Sequence, residues 1–192
     1  SMLKYKAFTY LLSTKRGHAP GETELLVDQA MRVVTNVKAR QTKAQDASID
    51  FLERMIEDQH LLEHKVLLFL LESGQVDKNI AGLIANKFQA KYQRPVCILT
   101  KNIKEENLNL QYTETFDSFF AVPTDIEIIY QGSARGCDIV GVTEFKSLCA
   151  GTGLCEYCTG HEGAFGLGIK EENIQAFLEA TDAALKDMSD EP

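Results

Sequence analysis

The spacing of hydrophobic positions changes about a third of the way along the chain. Residues 22–60 contain no Gly or Pro, and apolar residues such as Leu26, Val33 and Val37 recur there at helical spacing. The middle of this segment, residues 38–50, is polar apart from small alanines and one isoleucine. A helix that is apolar at its ends and polar in the middle is typical of a connector between two domains. The sequence therefore predicts one long connecting helix.

After this helix, short apolar runs alternate with helical patterns. The predicted strands are residues 66–71, 94–100 and 126–130, and the predicted helices are residues 79–92, 143–150 and 171–185. Asn79 and Thr143 are the predicted N-caps of two of these helices, and residues 101–109 are a predicted loop. This order predicts an α/β fold: a long N-terminal connecting helix followed by a small mixed sheet flanked by helices.

Three regions follow from this pattern. Residues 1–62 are a predicted helical connector, residues 63–188 a folded domain, and residues 189–192 a disordered tail. No apolar run approaches the roughly 18 residues that a membrane-spanning helix needs, and no secretory signal is present. Five cysteines, an odd number, favour reduced thiols. Together these features predict a cytoplasmic protein with no membrane partner.

The overall charge does not favour a nucleic-acid partner, but its distribution does. The chain has 192 residues and a formal net charge of −8. Residues 1–44 contain eight Lys or Arg against three acidic residues, which is a local charge of +5. We therefore expect any phosphate binding to be local and sensitive to salt.

A string of small residues, Gly132-Ser133-Ala134-Arg135-Gly136, follows the third predicted strand. Glycine lets a backbone turn and approach a ligand, the Ser133 hydroxyl can donate a hydrogen bond, and the Arg135 guanidinium suits phosphate. The string is a candidate phosphate-binding turn. The alternative is a plain strand-end turn with a solvated arginine.

A second string, residues 160–168, contains four glycines and His161. This spacing predicts an open loop, in which backbone N–H groups and the imidazole could bind an anion. The alternative is a tight connection in which His161 holds a carbonyl oxygen.

In this order, the two strings resemble the DHH-associated C-terminal domain of RecJ-like exonucleases. Ile80–Lys87, followed by Tyr92-Gln93-Arg94-Pro95, is similar to a helix and a Tyr-x-Arg-Pro strand of that family. Val37–Gln41 is similar to its interdomain helix. The resemblance covers roughly residues 13–180 and is of the phage and prophage type.

The resemblance implies a division of labour. In this family an N-terminal DHH domain holds two divalent metal ions, Mn or Mg, and hydrolyses single-stranded DNA from its 5′ end. The C-terminal domain holds the strand. By matched position, Gly132, Ser133 and Arg135 are expected to bind phosphate, with Gly160 and His161 completing the site.

Other matched residues extend or modify this expectation. Arg16, Lys38 and Arg40 are expected to extend the basic surface. A single glycine precedes His161 where many relatives have two, and Phe165 replaces a small residue, so the shape of that loop departs from the family pattern.

The sequence contains no Asp-His-His triplet, so the catalytic metal domain is absent from it. We therefore expect this chain alone to bind without cutting, with single-stranded DNA and its own N-terminal DHH domain as partners. Two alternatives stay open: the C-terminal domain of an oligonucleotide or cyclic-dinucleotide phosphoesterase, and a non-catalytic interaction module.

Two candidate metal-binding motifs are less well supported by the sequence. Cys149, Cys155, Cys158 and His161 have spacing that zinc could use, but a strand would point residues 155 and 158 to opposite faces, and free cysteine packs well in a core. Residues 60–64 match the His-x-x-Glu-His string of inverted zinc proteases, but the helix is expected to end there. No metal site is favoured in this chain.

Overall fold

The structure, a computed structural model, describes residues 26–111 and 120–187, and side chains over residues 26–104 and 126–187. The chain divides into two compact units between Asp50 and Phe51. The predicted connecting helix is present as α1, Leu26–Asp58. No helix of the described ranges is long and apolar enough to cross a membrane.

The second unit is built on one mixed sheet of five strands. In chain order these are β1 (Leu67–Leu71), β2 (Val96–Gln111), β3 (Phe120–Arg135), β4 (Cys155–His161) and β5 (Ala164–Lys170). Their order in the sheet is β1-β2-β3-β5-β4; β1 and β2 are parallel and the other neighbours antiparallel. The helices are α2 (Lys78–Tyr92), α3 (Phe145–Gly151) and α4 (Ile174–Ala184). The predicted α/β fold is confirmed.

Helix α2 lies on one face of the sheet. It joins the parallel strands β1 and β2, and such a connection must cross over the sheet. Its buried Ile84 and Phe88 face the strands, and the rings of Phe88 and Phe69 of β1 have centroids 5.6 Å apart. Burying side chains of this size contributes roughly 1.5–3 kcal/mol each.

The other face of the sheet packs against α3 and α4. Its core combines strand residues such as Leu99 and Leu167 with Phe145 of α3 and Phe177 of α4, all fully buried. Phe145 also meets Phe165 of β5 edge-to-face at 5.6 Å. The two helix layers therefore cover different faces, and α2 lies over β2 and β3.

Three segments predicted as loops are strands. Residues 101–109, predicted as a loop, continue β2, and the predicted turn at 131–136 continues β3 as far as Arg135. The predicted loop at 160–168 is the end of β4, a two-residue turn and most of β5. The predictions were wrong because ladder hydrogen bonds and cross-strand packing can hold polar or glycine-rich segments in strands despite weak intrinsic preference.

The helix caps also differ from the predictions. Asp77, not Asn79, caps α2: its carboxylate accepts from the Asn79 backbone N–H at 2.8 Å. Thr143 does not cap α3, which begins two residues later. Helix α2 buries Ala81 and Ala85 rather than Leu83, which is 51% exposed, because close contact with the sheet favours small side chains.

Candidate nucleic-acid interface

Strands β3, β5 and β4 place nine residues in three rows on one face of the sheet. Residues paired across neighbouring strands point to the same face, and alternate residues point to opposite faces. The three rows, each in the order β3, β5, β4, are Arg135–Ala164–His161, Ser133–Gly166–Thr159 and Gln131–Gly168–Tyr157. We call this surface the polar trough, because the small residues of β5 form its floor and polar side chains of β3 and β4 line its sides.

Arg135 is the charged group of the trough. Its side chain is half-buried, and Nη1 donates to the Ala134 carbonyl oxygen at 2.7 Å. No carboxylate of the residues with described side chains forms an ion pair with it. Loss of solvent lowers the pKa of Arg135. A partly desolvated guanidinium without an acidic partner favours an anionic ligand, since an arginine stays protonated.

Helix α2 approaches Arg135 at a glycine. A methyl group added at Gly82 would lie 2.5 Å from Arg135 Nη2 and 3.7 Å from Ser133 Oγ. The guanidinium and the hydroxyl therefore lie side by side beneath the helix. Any larger residue at position 82 would compete with Arg135 for this space, so the glycine is what admits the guanidinium.

Gly132 precedes Ser133 in β3 and pairs with Leu99 of the neighbouring strand β2. A Cβ at this position would lie 2.0 Å from the carbonyl oxygen of Ile98, which is too close for any side chain. Its role is therefore close packing of β2 against β3, which brings Ser133 to the floor of the groove described next. Gly132 therefore lies within a strand, and the turn predicted there is wrong.

A groove of about 590 Å³ lies between the first turns of α2 and the sheet. Its lining includes Ser133 and Gln131 of β3, Lys78 and Ala81 of α2, and Tyr157 of β4. The groove therefore lies between α2 and the end of the trough that carries Gln131 and Tyr157, with Ser133 at its lining. Its mixed polar and apolar lining suits an extended, charged chain better than a compact apolar ligand.

His161 ends β4 and is exposed. It shares a row with Arg135, with Ala164 between them. Gly160 before it has a φ of +132° and is packed against β5, where a Cβ would lie 2.9 Å from the Ala164 carbonyl oxygen. The predicted nest of free N–H groups is wrong, since this segment pairs as a hairpin.

The β4–β5 turn is attached to the start of α3. The Glu162 carboxylate accepts from the Ser147 backbone N–H at 3.0 Å and from the Ser147 hydroxyl at 2.9 Å, and Lys146 lies within ion-pair distance at 3.7 Å. The Ser147 backbone bond, the Ser147 hydroxyl and the Lys146 charge lower the pKa of Glu162. Gly136 N–H donates to the Gly163 carbonyl oxygen at 3.0 Å. These bonds fix the end of the trough that carries Arg135 and His161.

The alternative zinc site does not assemble. Cys155 pairs with Ile169 and Cys158 with Leu167, and a bulge lies between them. Both thiols therefore point to the face that is covered by α3 and α4, contrary to the prediction of opposite faces. His161 points to the other face. No group of three or more His, Cys, Asp or Glu among the described residues could hold a metal ion.

Burial affects the thiols strongly. Cys149 is fully buried, and loss of solvent raises its pKa far above the ordinary value; the same cause raises the pKa of Cys155 to about 12. Thiols with raised pKa values are poor nucleophiles and poor metal ligands. The cysteines therefore act as core residues, as cysteine commonly does.

The His-x-x-Glu-His string lies beyond the end of α1. His60 has a left-handed φ of 52°, and a single 3₁₀ turn, Leu61–Glu63, separates it from His64. His64 Nδ1 lies 2.6 Å from Asp182 Oδ2, and the other oxygen of Asp182 accepts from the Lys65 N–H at 2.7 Å. His64 therefore attaches this junction to α4, and the two imidazoles do not share a helical face.

The remaining predicted basic residues lie elsewhere. Lys38 and Arg40 are exposed on α1, within the first compact unit. Arg16 lies outside the described residues. Their contribution to a basic surface stays a prediction.

Sequence reasoning missed Gln131, Thr159, Tyr157 and the role of Gly82. Polar or amphipathic residues at alternate positions 157, 159 and 161 are the signal that could have revealed the second side of the trough. That signal was obscured because a cysteine and a glycine occupy the intervening positions, and the glycines nearby were interpreted as a loop.

The fold matches solved structures of RecJ. The TM-score is 0.55 against RecJ from Thermus thermophilus with Mg²⁺, at 17% identity, over 97% of this chain and 23% of that one. The Mn²⁺ complex from the same organism gives 0.54 at 17% identity, over 86% and 21%. Identity at this level shows the fold: the chain has the fold of a part of RecJ.

The sequence itself matches phage relatives. It is 30% identical over 175 residues to YorK, described as an SPbeta prophage-derived single-strand DNA-specific exonuclease of Bacillus subtilis strain 168, and equally to its counterpart in Bacillus phage SPbeta. The alignment covers 91% of this chain and 27% of each relative, so the chain spans little more than a quarter of their length. No family model matches. The chain is thus similar in sequence to phage single-strand DNA-specific exonucleases and in fold to part of RecJ, as its motifs indicated.

Proposed function

We propose that this chain is the strand-holding, C-terminal part of a phage-type RecJ-like exonuclease that degrades single-stranded DNA in the 5′→3′ direction. Residues 63–188 are the nucleic-acid-binding domain and residues 1–62 the connector to a DHH domain. The relatives' description as single-strand DNA-specific exonucleases supports this substrate and disfavours the dinucleotide phosphoesterase alternative.

The observation that carries the proposal is the half-buried guanidinium of Arg135, which has no ion pair with a described carboxylate and lies beside the Ser133 hydroxyl. A phosphate there accepts from both groups, and this restores the polar contacts that Arg135 loses by burial. His161 shares this row across β5, and we propose that it donates to a second phosphate oxygen. The 5′-terminal phosphate is the natural ligand for this end of the trough, because it carries more charge than an internal phosphate.

The chemistry of cleavage belongs to another part of the enzyme. RecJ has been solved with Mg²⁺ and with Mn²⁺, whereas the described residues of this chain offer no group that could hold either ion. In the proposed enzyme the DHH domain holds the divalent metals, and we expect this chain alone to bind without hydrolysis. Its task is to hold the strand in register with that domain.

Fluorescence anisotropy with a labelled, 5′-phosphorylated oligothymidylate tests the proposal. Arg135→Ala is compared with Arg54→Ala, which removes the same charge from an exposed position on α1. We expect Arg135→Ala to weaken binding by about 1–3 kcal/mol, the usual cost of losing a charge-assisted hydrogen bond. Its salt slope should fall by about 0.7, the contribution of one phosphate on a single strand.

The control defines what would contradict the proposal. Arg54→Ala should bind nearly as well as the parent chain, because a distant surface charge is screened at moderate salt. Equal losses in the two arginine variants would mean that net charge, and not the Arg135 site, determines binding. No binding by the parent chain at low salt would contradict a strand-holding function of this chain.

A further inference from the structure

Tyr157 lies at the opposite end of the trough from Arg135 and forms one wall of the groove. The residue is 40% exposed and belongs to the edge strand β4. No aromatic partner of Tyr157 is found among the residues with described side chains. The ring is therefore available to a ligand in the groove.

One side of the Tyr157 ring lies against the backbone of Gly168. A Cβ at Gly168 would lie 2.5 Å from Cε1, 3.1 Å from Cδ1 and 3.2 Å from Cζ of Tyr157. Three ring atoms close to one backbone position mean that one side of the ring rests on β5, and loss of solvent there raises the pKa of Tyr157. An aromatic ring supported on one side and solvent-exposed on the other is a platform on which a nucleobase can stack.

Measured along the direction of the strands, the separation of Arg135 and this platform fits a nucleic-acid strand. Successive rows of the trough are two residues apart, or about 6.8 Å in an antiparallel sheet. One nucleotide contains as many backbone bonds as two amino-acid residues, so an extended strand advances by about one nucleotide per row. The row of Tyr157 is two rows from that of Arg135.

We propose that Tyr157 stacks on a base of the bound single strand, two nucleotides from the phosphate at Arg135. The inference rests on the proposed function and assigns it a second, non-ionic contact. Stacking on an aromatic ring accepts any base, so this contact favours single-stranded over double-stranded DNA without reading sequence. Paired bases cannot expose a face in this way.

The experiment separates base stacking from phosphate binding by changing the ligand as well as the protein. A labelled, 5′-phosphorylated oligothymidylate is compared with oligomers that carry one abasic tetrahydrofuran residue at successive positions. Each is titrated by anisotropy with the parent chain, Tyr157→Phe and Tyr157→Leu. Phenylalanine keeps the aromatic face, whereas leucine keeps an apolar side chain over Gly168 and removes that face.

For the parent chain and Tyr157→Phe, we expect one abasic position near the third nucleotide to weaken binding by about five- to a hundredfold. Tyr157→Leu should bind the intact oligomer with a similar loss, the abasic position should have no further effect, and the salt slope should stay unchanged. Urea unfolding of each variant checks that the fold is retained.

The outcomes distinguish this inference from the function on which it rests. If the parent chain binds intact and abasic oligomers equally, base stacking is contradicted while phosphate binding stands. If Tyr157→Leu retains the abasic effect, another residue provides the stacking surface and Tyr157 is only structural. If the parent chain binds no oligomer at low salt, both proposals are contradicted.

Discussion

The two faces of the β3–β5–β4 half of the sheet are made by the same strands, yet they differ completely in chemistry. On the face covered by α3 and α4, alternate residues are apolar and buried, among them Phe165, Leu167 and Ile169 of β5. On the other face, β5 supplies Ala164, Gly166 and Gly168 as the floor of the polar trough, and Lys170 lies beyond the last row. Period-two alternation thus gives one face to the hydrophobic core and the other to the proposed binding site.

This difference makes the two properties separable by mutation. A change on the face covered by α3 and α4 removes core packing and should lower the free energy of unfolding. A change in the trough removes ligand contacts and should leave the free energy of unfolding nearly unchanged. The following predictions test that separation.

The largest effect is expected for Phe177→Ala. Phe177 of α4 is fully buried against the sheet, so truncation leaves a cavity and should lower the free energy of unfolding by about 3–5 kcal/mol. Thr159→Ala, an exposed position in the trough, should change it by less than about 0.5 kcal/mol. Urea unfolding monitored by circular dichroism measures both, and similar losses would contradict the assignment of stability to one face.

A smaller effect is expected for Gly82→Ala, which should raise the stability of the fold and lower its affinity for single-stranded DNA. Alanine should stabilise the α2 helix by up to about 1 kcal/mol, whereas its methyl group occupies the space of Arg135 Nη2 and displaces the guanidinium. We therefore expect a chain at least as stable as the parent, with weaker binding of single-stranded DNA. Gly151→Ala is the matched control, because nothing lies within 4 Å of a Cβ there. Equal affinities for the two variants would show that Gly82 does not position Arg135.

The smallest effect is expected for Glu162→Gln and depends on pH. Since the pKa of Glu162 is lowered in the folded chain, its contribution to stability is full at neutral pH and is lost as the pH falls below the ordinary value of 4.5. The parent should therefore have a higher urea midpoint than Glu162→Gln at pH 7, and the two midpoints should converge once the pH is below the lowered pKa of Glu162, where the carboxyl is protonated. A difference that persists in acid would mean that the charge of Glu162 does not stabilise the turn.

Long apolar periodicity was enough to predict α1, β1, α2 and the α/β class. It failed where glycine was taken as a sign of a loop. Gly132 and Gly168 lie inside strands, because a neighbouring carbonyl oxygen and the Tyr157 ring occupy the space of a side chain. The sequence shows that these residues are small, but only the tertiary structure shows what fills the space beside them.

The candidate site was predictable in part. Ser133, Arg135 and His161 were identified from their motifs, and the structure places all three in the trough. Tyr157 was missed, because its position depends on a bulge that shifts the register of β4 by one residue. Register of this kind depends on long-range strand pairing and cannot be derived from local sequence preference.

The most direct test of the central claim is a titration of the ¹⁵N-labelled chain with a 5′-phosphorylated oligothymidylate, followed by backbone amide NMR. We predict shifts concentrated at Gly132–Arg135, Gly82 and Tyr157–His161, with the amides of α4 unchanged. With a 5′-hydroxyl oligomer, the shifts of the amides next to Arg135 should be smaller than with the 5′-phosphorylated oligomer. Shifts centred on α4, or shifts spread evenly over the surface, would contradict the assignment of strand binding to the polar trough.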